Sequence, residues 1–241
     1  MNKIELVDNI CYISIDNKPN NLLNKPEFIA PEVLHKFAGN DNCKSILIHS
    51  TGRNFSAGAD ISVIFNMLRN GELADELNKG KKLLKQILSY NIPVIAAIEG
   101  VCFGGGLEIV LNADIKIASE KALFAFPEAN HELMPGLGGT QHLTKVVGKA
   151  RAIEIILKAD TINSHKAKEL GIIDNIVAAK STMNSGIELC NKLVANRPID
   201  VIRAIVQSIR NVETMEYEKA LEEETILFCK LAEKVSVEDD L

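Results

Sequence analysis

Residues 92–119 have the sequence IPVIAAIEGVCFGGGLEIVLNADIKIAS, in which two short apolar runs flank a glycine-rich turn and a helix-forming run. The flanking runs, PVIAAIEG (93–100) and DIKIAS (114–119), are typical of strands, because each is short and bounded by proline, glycine or polar residues. LEIVLNAD, directly after the glycines, can begin a helix. A strand, a helix and a second strand in this order predict a β–α unit with parallel strands and a right-handed crossover.

The same alternation extends to both sides of this unit. Apolar and polar periodicity predicts further elements: strands over 10–16, 44–50 and 122–126, and helices over 72–90, 140–147 and 150–159. After about residue 178 the pattern indicates helices only. The sequence therefore predicts an α/β core over residues 1–178 and a C-terminal helical region over residues 179–241.

The last predicted helix, which begins near Met215, has an amphipathic surface. Its apolar side chains include Leu221, Ile226, Phe228 and Leu231. Such a helix either packs on its own core or docks on a neighbouring subunit. We favour docking, because an appended helical tail has little core of its own. Residues 179–241 are therefore expected to serve oligomerisation.

Composition argues against several classes of protein. The chain has 241 residues, 46% of them hydrophobic, and a net charge of −5 with both signs intermixed, so neither nucleic acid nor a membrane surface is an expected partner. No apolar run approaches the roughly 20 residues of a membrane helix, and no signal peptide is expected. Five scattered cysteines without CxxC and five histidines without HExxH predict a cytoplasmic protein with free thiols and no metal site.

Three consecutive glycines, Gly104, Gly105 and Gly106, let the backbone approach a bound group closely. The run matches neither GxGxxG nor a Walker phosphate loop. Because a helix follows, the N–H groups lie at a helix N-terminus, where the dipole favours negative charge. The turn suits an oxyanion hole, although a close-packed turn that merely needed small residues would have the same sequence.

A second turn of small residues, FSAGAD (55–60), follows the predicted strand at 44–50. Asp60 can cap a helix that starts near Ile61. One N–H group from each of the two turns is the geometry needed to hold a single thioester oxygen.

Two carboxylates lie near these turns in sequence. Glu108 is in the first helical turn after the glycines, and a partly buried carboxylate there is a candidate acid or base with a raised pKa. Glu128 follows a predicted strand and a proline, and is either a second catalytic acid or a solvated loop residue. Glu132 is interpreted as an exposed charge.

Several blocks together resemble the enoyl-CoA hydratase (crotonase) family. They are FSAGAD, the stretch at 92–119, FAFPEANHELMPGLGGTQHLTKVVGKARAIEIIL (124–157) and ADTINSHKAKELGIIDNIV (159–177). The blocks occur in the family order with matching spacing, over roughly residues 4 to 178. The resemblance implies a repeated β–β–α spiral core with a C-terminal helical region, assembled as a homotrimer or a homohexamer.

The resemblance also implies roles for individual residues. The N–H groups of Ala59 and Gly105 would hold the thioester oxygen of an acyl-CoA substrate. Glu108 would activate a water molecule, and Glu128 would handle the proton at the α-carbon. Further substrate-binding positions are expected at Ala57, Asp60, Ile61, Gly104, Pro127 and Gly136. No cofactor is implied, because coenzyme A is part of the substrate.

Two segments depart from the family pattern. Residues 24–42, normally a longer helix, are short and interrupted by Pro26 and Pro31, so the preferred acyl length is open. The C-terminus ends early, at EKVSVEDDL, and offers no clear contact for the phosphates of coenzyme A. Arg53, Lys79, Lys81 and Lys82 are the candidates for that contact.

Three activities fit the sequence. The first is reversible hydration of a 2-enoyl thioester, which the two glutamates favour. The second is another reaction of the same site on a coenzyme A or acyl-carrier-protein thioester, namely isomerisation, decarboxylation or thioester hydrolysis. The third is a non-catalytic acyl-CoA binder or RNA-associated scaffold, which the two acids and the negative net charge disfavour.

Overall fold

The computed structural model describes residues 2–238. Its strands are Lys3–Val7 (β1), Ile10–Ile15 (β2), Ser45–Ser50 (β3), Val94–Ile98 (β4), Val101–Phe103 (β5), Ile115–Ser119 (β6), Leu123–Ala125 (β7), Ile162–Asn163 (β8) and Asn175–Val177 (β9). Its helices are Pro31–Ala38 (α1), Ile61–Arg69 (α2), Leu73–Ser89 (α3), Gly105–Leu111 (α4), Gly139–Val147 (α5), Lys149–Lys158 (α6), Ser164–Glu169 (α7), Thr182–Val194 (α8), Ile199–Asn211 (α9) and Tyr217–Glu238 (α10), with a short 3-10 helix at Pro127–His131. Residues 239–241, the acidic end of the predicted helical region, lie outside the described residues.

Two sheets form the framework of the fold. The larger sheet has the order β1-β2-β3-β4-β6-β9, and the smaller has the order β5-β7-β8. In the larger sheet β2, β3, β4, β6 and β9 run parallel. The residues of β2, β3, β4 and β6 are mostly buried, as expected for parallel strands covered on both faces, whereas those of the edge strand β9 are half-buried or exposed. The β–α alternation predicted from the sequence is confirmed.

Two strands that the sequence did not predict, β1 and β8, pair antiparallel with their neighbours. β1 pairs antiparallel with β2, and β8 pairs antiparallel with β7. A two-residue turn joins β1 to β2, and both of its residues have positive φ (47° at Asp8, 69° at Asn9), which fits a tight antiparallel hairpin. The apolar pattern did not reveal β1, because it is an edge strand that alternates exposed and half-buried residues.

In the helical region after residue 178, α8 and α9 pack on the core, and α10 packs on α9. Helix α8 lies against β3, β4 and β6. Arg210 of α9 contacts Asp114 with two nitrogens, Nη2 at 2.5 Å and Nε at 3.2 Å, and it also donates to the main-chain oxygens of Leu88 and Ile92. The prediction that the chain after residue 178 forms helices and no strands is thus confirmed for the described residues. The division into two units at that position stays a prediction.

Candidate active site

A cavity of about 220 Å³ lies where the turn after β3, the turn before α4, the 3-10 helix and the turn before α5 meet. The ten residues expected in the roles of catalyst, oxyanion donor or substrate contact all line it: Ala57, Ala59, Asp60, Ile61, Gly104, Gly105, Glu108, Pro127, Glu128 and Gly136. They come from segments up to about 80 positions apart in the sequence. The fold therefore brings the candidate residues to one place, whereas their roles depend on the geometry within it.

The two small-residue turns lie side by side because their backbones pair. Ser56 forms a parallel bridge with Cys102 of β5. Its N–H donates to the carbonyl of Val101 at 3.0 Å, and its carbonyl accepts from the N–H of Phe103 at 2.9 Å. The turn at 57–60 and the turn at 104–106 therefore leave adjacent parallel segments at the same edge, facing the cavity.

In the first turn, the N–H of Ala59 differs from the neighbouring N–H groups in its hydrogen bonding. The other N–H groups are bonded within the protein: Ala57 donates to the carbonyl of Asn20 (3.0 Å), Gly58 to Ser56 Oγ (3.1 Å) and Asp60 to the carbonyl of Leu23 (3.3 Å). Within residues 2–238, the N–H of Ala59 has no acceptor. This residue lines the cavity, so its N–H is available to a bound oxygen.

In the second turn, Gly105 opens helix α4, so its N–H has no acceptor inside the helix. Gly104 has φ 49° and ψ −124°, which a residue with a side chain rarely adopts, and a Cβ there would lie 2.8 Å from Glu128 Oε1. A Cβ on Gly106 would lie 2.7 Å from the Cβ of Ser56. The glycines thus serve both purposes that the sequence left open, because they pack closely and also present an N–H to the cavity.

Asp60 caps helix α2 as predicted, since its Oδ1 accepts from the N–H of Ser62 at 2.9 Å. The cap holds the end of the first turn against the start of that helix. Asp60 therefore has a structural role at the cavity wall that does not depend on a ligand.

Glu108 is a buried carboxylate, with only 2% of the residue exposed. Its Oε1 accepts two main-chain hydrogen bonds, from Leu137 at 2.6 Å and from Gly139 at 2.7 Å. Burial raises the pKa of this carboxyl, and the N–H donors of the turn before α5 oppose that rise. These bonds fix the orientation of the side chain and leave Oε2 for a ligand.

Glu128 is the second residue of the 3-10 helix and is half-buried. Burial raises its pKa from 4.5 to about 7, and the nearby charge of Glu108 contributes to the rise. Its Oε2 is buried and accepts no hydrogen bond from the part of the chain that the structure describes. A carboxyl with such a pKa can give or take a proton near neutrality, which is the property that general acid–base catalysis requires.

Much of the cavity wall is apolar, and the sequence analysis did not assign these residues. They are Leu23, Pro26, Val63, Ile64, Met67, Leu73, Leu77, Leu133, Met134 and Leu137, with Asn24, Gly58 and His131 beside them. The helical spacing of the apolar residues in α2 and α3 indicates a buried face. It does not distinguish a face that packs on the core from one that lines a cavity.

Other candidate residues lie outside this wall. Glu132 is exposed, as interpreted from the sequence, and it does not line the cavity. Neither do the four cationic candidates for phosphate binding, Arg53, Lys79, Lys81 and Lys82. Lys79 instead pairs with Glu76 at 2.6 Å.

Residues 2–238 contain neither a metal-binding cluster nor a membrane-spanning helix. No group of three or more His, Cys, Asp or Glu side chains is arranged to hold a metal ion. No helix there has the length and apolar character needed to cross a membrane.

Comparisons with known proteins agree with one another. The sequence model of the enoyl-CoA hydratase/isomerase family matches residues 5–240. A Bacillus subtilis (strain 168) protein named "Probable enoyl-CoA hydratase" is 38% identical over 178 residues, covering 72% of this chain and 68% of that protein. The 2,3-dehydroadipyl-CoA hydratase of Escherichia coli (strain K12) is 32% identical over 187 residues, covering 77% of this chain and 71% of the relative.

A solved structure extends the likeness to the fold. The crystal structure of enoyl-CoA hydratase from Thermoplasma volcanium GSS1 superposes with a TM-score of 0.83 at 27% identity, covering 100% of this chain and 95% of the other. The predicted α/β class, with a crotonase-like core and a C-terminal helical region, is confirmed. Since the family match spans nearly the whole chain and the relatives agree with it, this protein belongs to the enoyl-CoA hydratase/isomerase family.

Proposed function

We propose that the protein is an enoyl-CoA hydratase, which adds water reversibly across the 2,3 double bond of a 2-enoyl-CoA thioester to give a 3-hydroxyacyl-CoA. One observation carries the proposal. Two carboxyls with raised pKa, Glu108 and Glu128, line the same cavity as the two available N–H groups of Ala59 and Gly105. Hydration needs both kinds of group, since charge develops on the thioester oxygen while water and a proton are added to carbon.

The thioester carbonyl would accept hydrogen bonds from Ala59 and Gly105. These donors stabilise the enolate-like charge, each by about 3–4 kcal/mol in comparable oxyanion holes. Glu108, ionised and oriented by the turn before α5, would take a proton from water while the water oxygen bonds to the β-carbon. Glu128, protonated at the start, would donate its proton to the α-carbon. The Glu108 carboxyl then returns a proton to Glu128 through the solvent, which closes the cycle.

A second group of reactions uses the same cavity. Double-bond isomerisation, decarboxylation and the dehydratase direction all pass through charge on a thioester oxygen, on an acyl-CoA or an acyl-carrier-protein substrate. The presence of two carboxyls favours hydration, because isomerisation requires only one group that moves a proton between carbons. The apolar wall supports a hydrocarbon acyl group.

The test is the loss of enoyl absorbance when the purified protein is mixed with crotonyl-CoA. Rapid loss with 3-hydroxybutyryl-CoA as the product would support the proposal. A shift of the double bond or release of carbon dioxide from a suitable thioester would support the second group instead. A folded protein that binds acyl-CoA yet hydrates no short, long or branched 2-enoyl thioester would refute hydration.

The pH dependence separates hydration from isomerisation. In hydration Glu128 must start protonated and Glu108 ionised, so kcat/KM for crotonyl-CoA should fall about tenfold per pH unit above pH 7 and should fall again at low pH, where Glu108 becomes protonated. Dehydration of 3-hydroxybutyryl-CoA starts from the form with the proton on Glu108, which has the same total charge, so its kcat/KM should follow the same pH profile. An isomerase that uses Glu128 as its base would instead gain activity with pH in the forward direction. A forward rate that increases from pH 6 to pH 8 would contradict the proposed role.

We also propose a homotrimer or homohexamer, assembled through the helical region. Several apolar side chains of α9, α10 and the segment between them are exposed on the single chain: Ile205, Ile209, Val212, Tyr217, Leu221, Ile226 and Phe228. An apolar surface of this kind is typical of a subunit interface. A cytoplasmic location, predicted from the cysteines, remains a prediction, as does the expectation of no cofactor and no nucleic acid or membrane partner.

A further inference from the structure

Ser56 is a buried polar residue between the two turns that face the cavity. None of the residue is exposed, and it does not line the cavity itself. Its main chain pairs with β5, as described above, so its position relative to the second turn is set by two backbone hydrogen bonds. The backbone pairing does not require the Ser56 hydroxyl, so the role of this hydroxyl needs a separate explanation.

The hydroxyl bridges parts of the first turn and the segment before it. Ser56 Oγ donates to the carbonyl of Asn21 at 2.7 Å and accepts from the N–H of Gly58 at 3.1 Å. Gly58 has φ 97° and directly precedes Ala59. The Ser56 hydroxyl therefore holds the orientation of the Gly58 peptide group. The next N–H in the chain, that of Ala59, is the one that has no acceptor within the described residues.

The same side chain abuts the second turn. A Cβ on Gly106 would lie 2.7 Å from Ser56 Cβ and 3.2 Å from Ser56 Oγ. Gly106 directly follows Gly105, whose N–H is the other candidate donor. Ser56 therefore contacts the residue next to each donor, one through a hydrogen bond and the other through packing.

We propose that Ser56 is a positioning residue that sets the spacing and direction of the two oxyanion donors, Ala59 N–H and Gly105 N–H. The inference rests on the proposed thioester site, and it assigns a function to a side chain that no substrate touches. Without the hydroxyl, the buried N–H of Gly58 loses its acceptor, and the turn must rotate to find another. Such a rotation would redirect the adjacent N–H of Ala59 away from the thioester oxygen.

The test compares Ser56→Ala with a matched control, Ser164→Ala. Ser164 is also fully buried and its Oγ donates to a main-chain carbonyl, that of Glu120 at 2.8 Å, but it does not line the cavity. Two quantities are measured for each variant. One is kcat and KM for crotonyl-CoA. The other is the infrared carbonyl stretch of bound butyryl-CoA labelled with ¹³C at the thioester carbon, which moves to lower frequency when donors polarise it.

In Ser56→Ala we expect kcat to fall about 10- to 100-fold with KM changed by less than about threefold, because one donor is displaced but not removed. The downshift of the carbonyl stretch should shrink in parallel. Ser164→Ala should lower thermal stability about as much as Ser56→Ala does, but its kcat and its carbonyl downshift should equal those of the wild type. A Ser56→Ala variant with wild-type kcat and downshift would overturn the inference, and so would a wild type in which bound thioester shows no downshift.

The hydratase proposal and this inference fail separately. If the wild type turns over no enoyl thioester, but the downshift is present and shrinks in Ser56→Ala, the positioning role stands and hydration does not. If Ser56→Ala does not fold, Ser56→Cys carries the test, since sulfur is a weaker and longer acceptor in the same place. A reduced downshift in Ser56→Cys supports the role, and an unchanged one overturns it.

Discussion

Replacing Glu128 by glutamine is expected to abolish hydration and, above pH 7, to stabilise the folded protein. Activity should fall by about 10²- to 10⁴-fold, because the amide cannot donate the proton that the α-carbon receives. The gain in stability has a separate cause. The folded state holds this carboxyl with a pKa of about 7 in place of 4.5, so the cost of burying its charge is absent below pH 4.5, grows as the pH rises from 4.5 to about 7, and is constant above that.

The size of that stabilisation follows from the shift. A change from 4.5 to about 7 corresponds to roughly 3 kcal/mol at pH 8, an upper value because the side chain is partly solvated. Denaturant unfolding of wild type and Glu128→Gln at pH 5 and pH 8 measures it, with a difference expected mainly at pH 8. Glu132→Gln, an exposed site four residues away, is the control and should change neither activity nor stability. Equal effects at the two pH values would show that the carboxyl titrates normally.

Glu108→Gln is expected to lose activity to a similar extent, about 10²- to 10⁴-fold, while folding normally. The amide oxygen can accept the same two hydrogen bonds, from Leu137 and Gly139, so the turn before α5 keeps its shape. The amide nitrogen then faces the cavity, where it cannot remove a proton from water. Because binding contacts remain, KM for crotonyl-CoA should change little, and the loss should appear in kcat.

Glu108→Ala serves as the comparison for this prediction. It leaves two buried N–H groups without an acceptor, at a cost of about 1–3 kcal/mol for each, so it should lower the unfolding midpoint as well as activity. Thermal unfolding and kcat of the two variants, measured together, separate the chemical role of Glu108 from its structural one. A Glu108→Gln variant that retains more than a tenth of wild-type kcat would contradict its role as the base.

The local elements could be predicted from the sequence wherever a short-range pattern determines them. The strands β2, β3, β4 and β6 are short runs rich in apolar residues, and helices α3, α5 and α6 repeat apolar residues at helical spacing, so each was located to within about two residues. The edge strand β1 and the short strands β5 and β8 were not found. β1 is missed because it alternates exposed and half-buried residues. β5 and β8 have three and two residues, and each pairs with β7, which lies about 20 and 40 positions away in the chain.

The candidate site divides in the same way. A local pattern together with family resemblance was enough to name the small residues at 57–60 and 104–106 and the acids Glu108 and Glu128. These positions are recognised by residue type and spacing alone. The burial that raises the pKa of Glu128 to about 7, and the two N–H donors that hold Glu108, come from segments far apart in sequence. The contact of Ser56 with both turns arises in the same way. Residue identity and short-range periodicity are properties of the chain, whereas desolvation, hydrogen-bond partners and the spacing of two turns exist only after distant segments pack together.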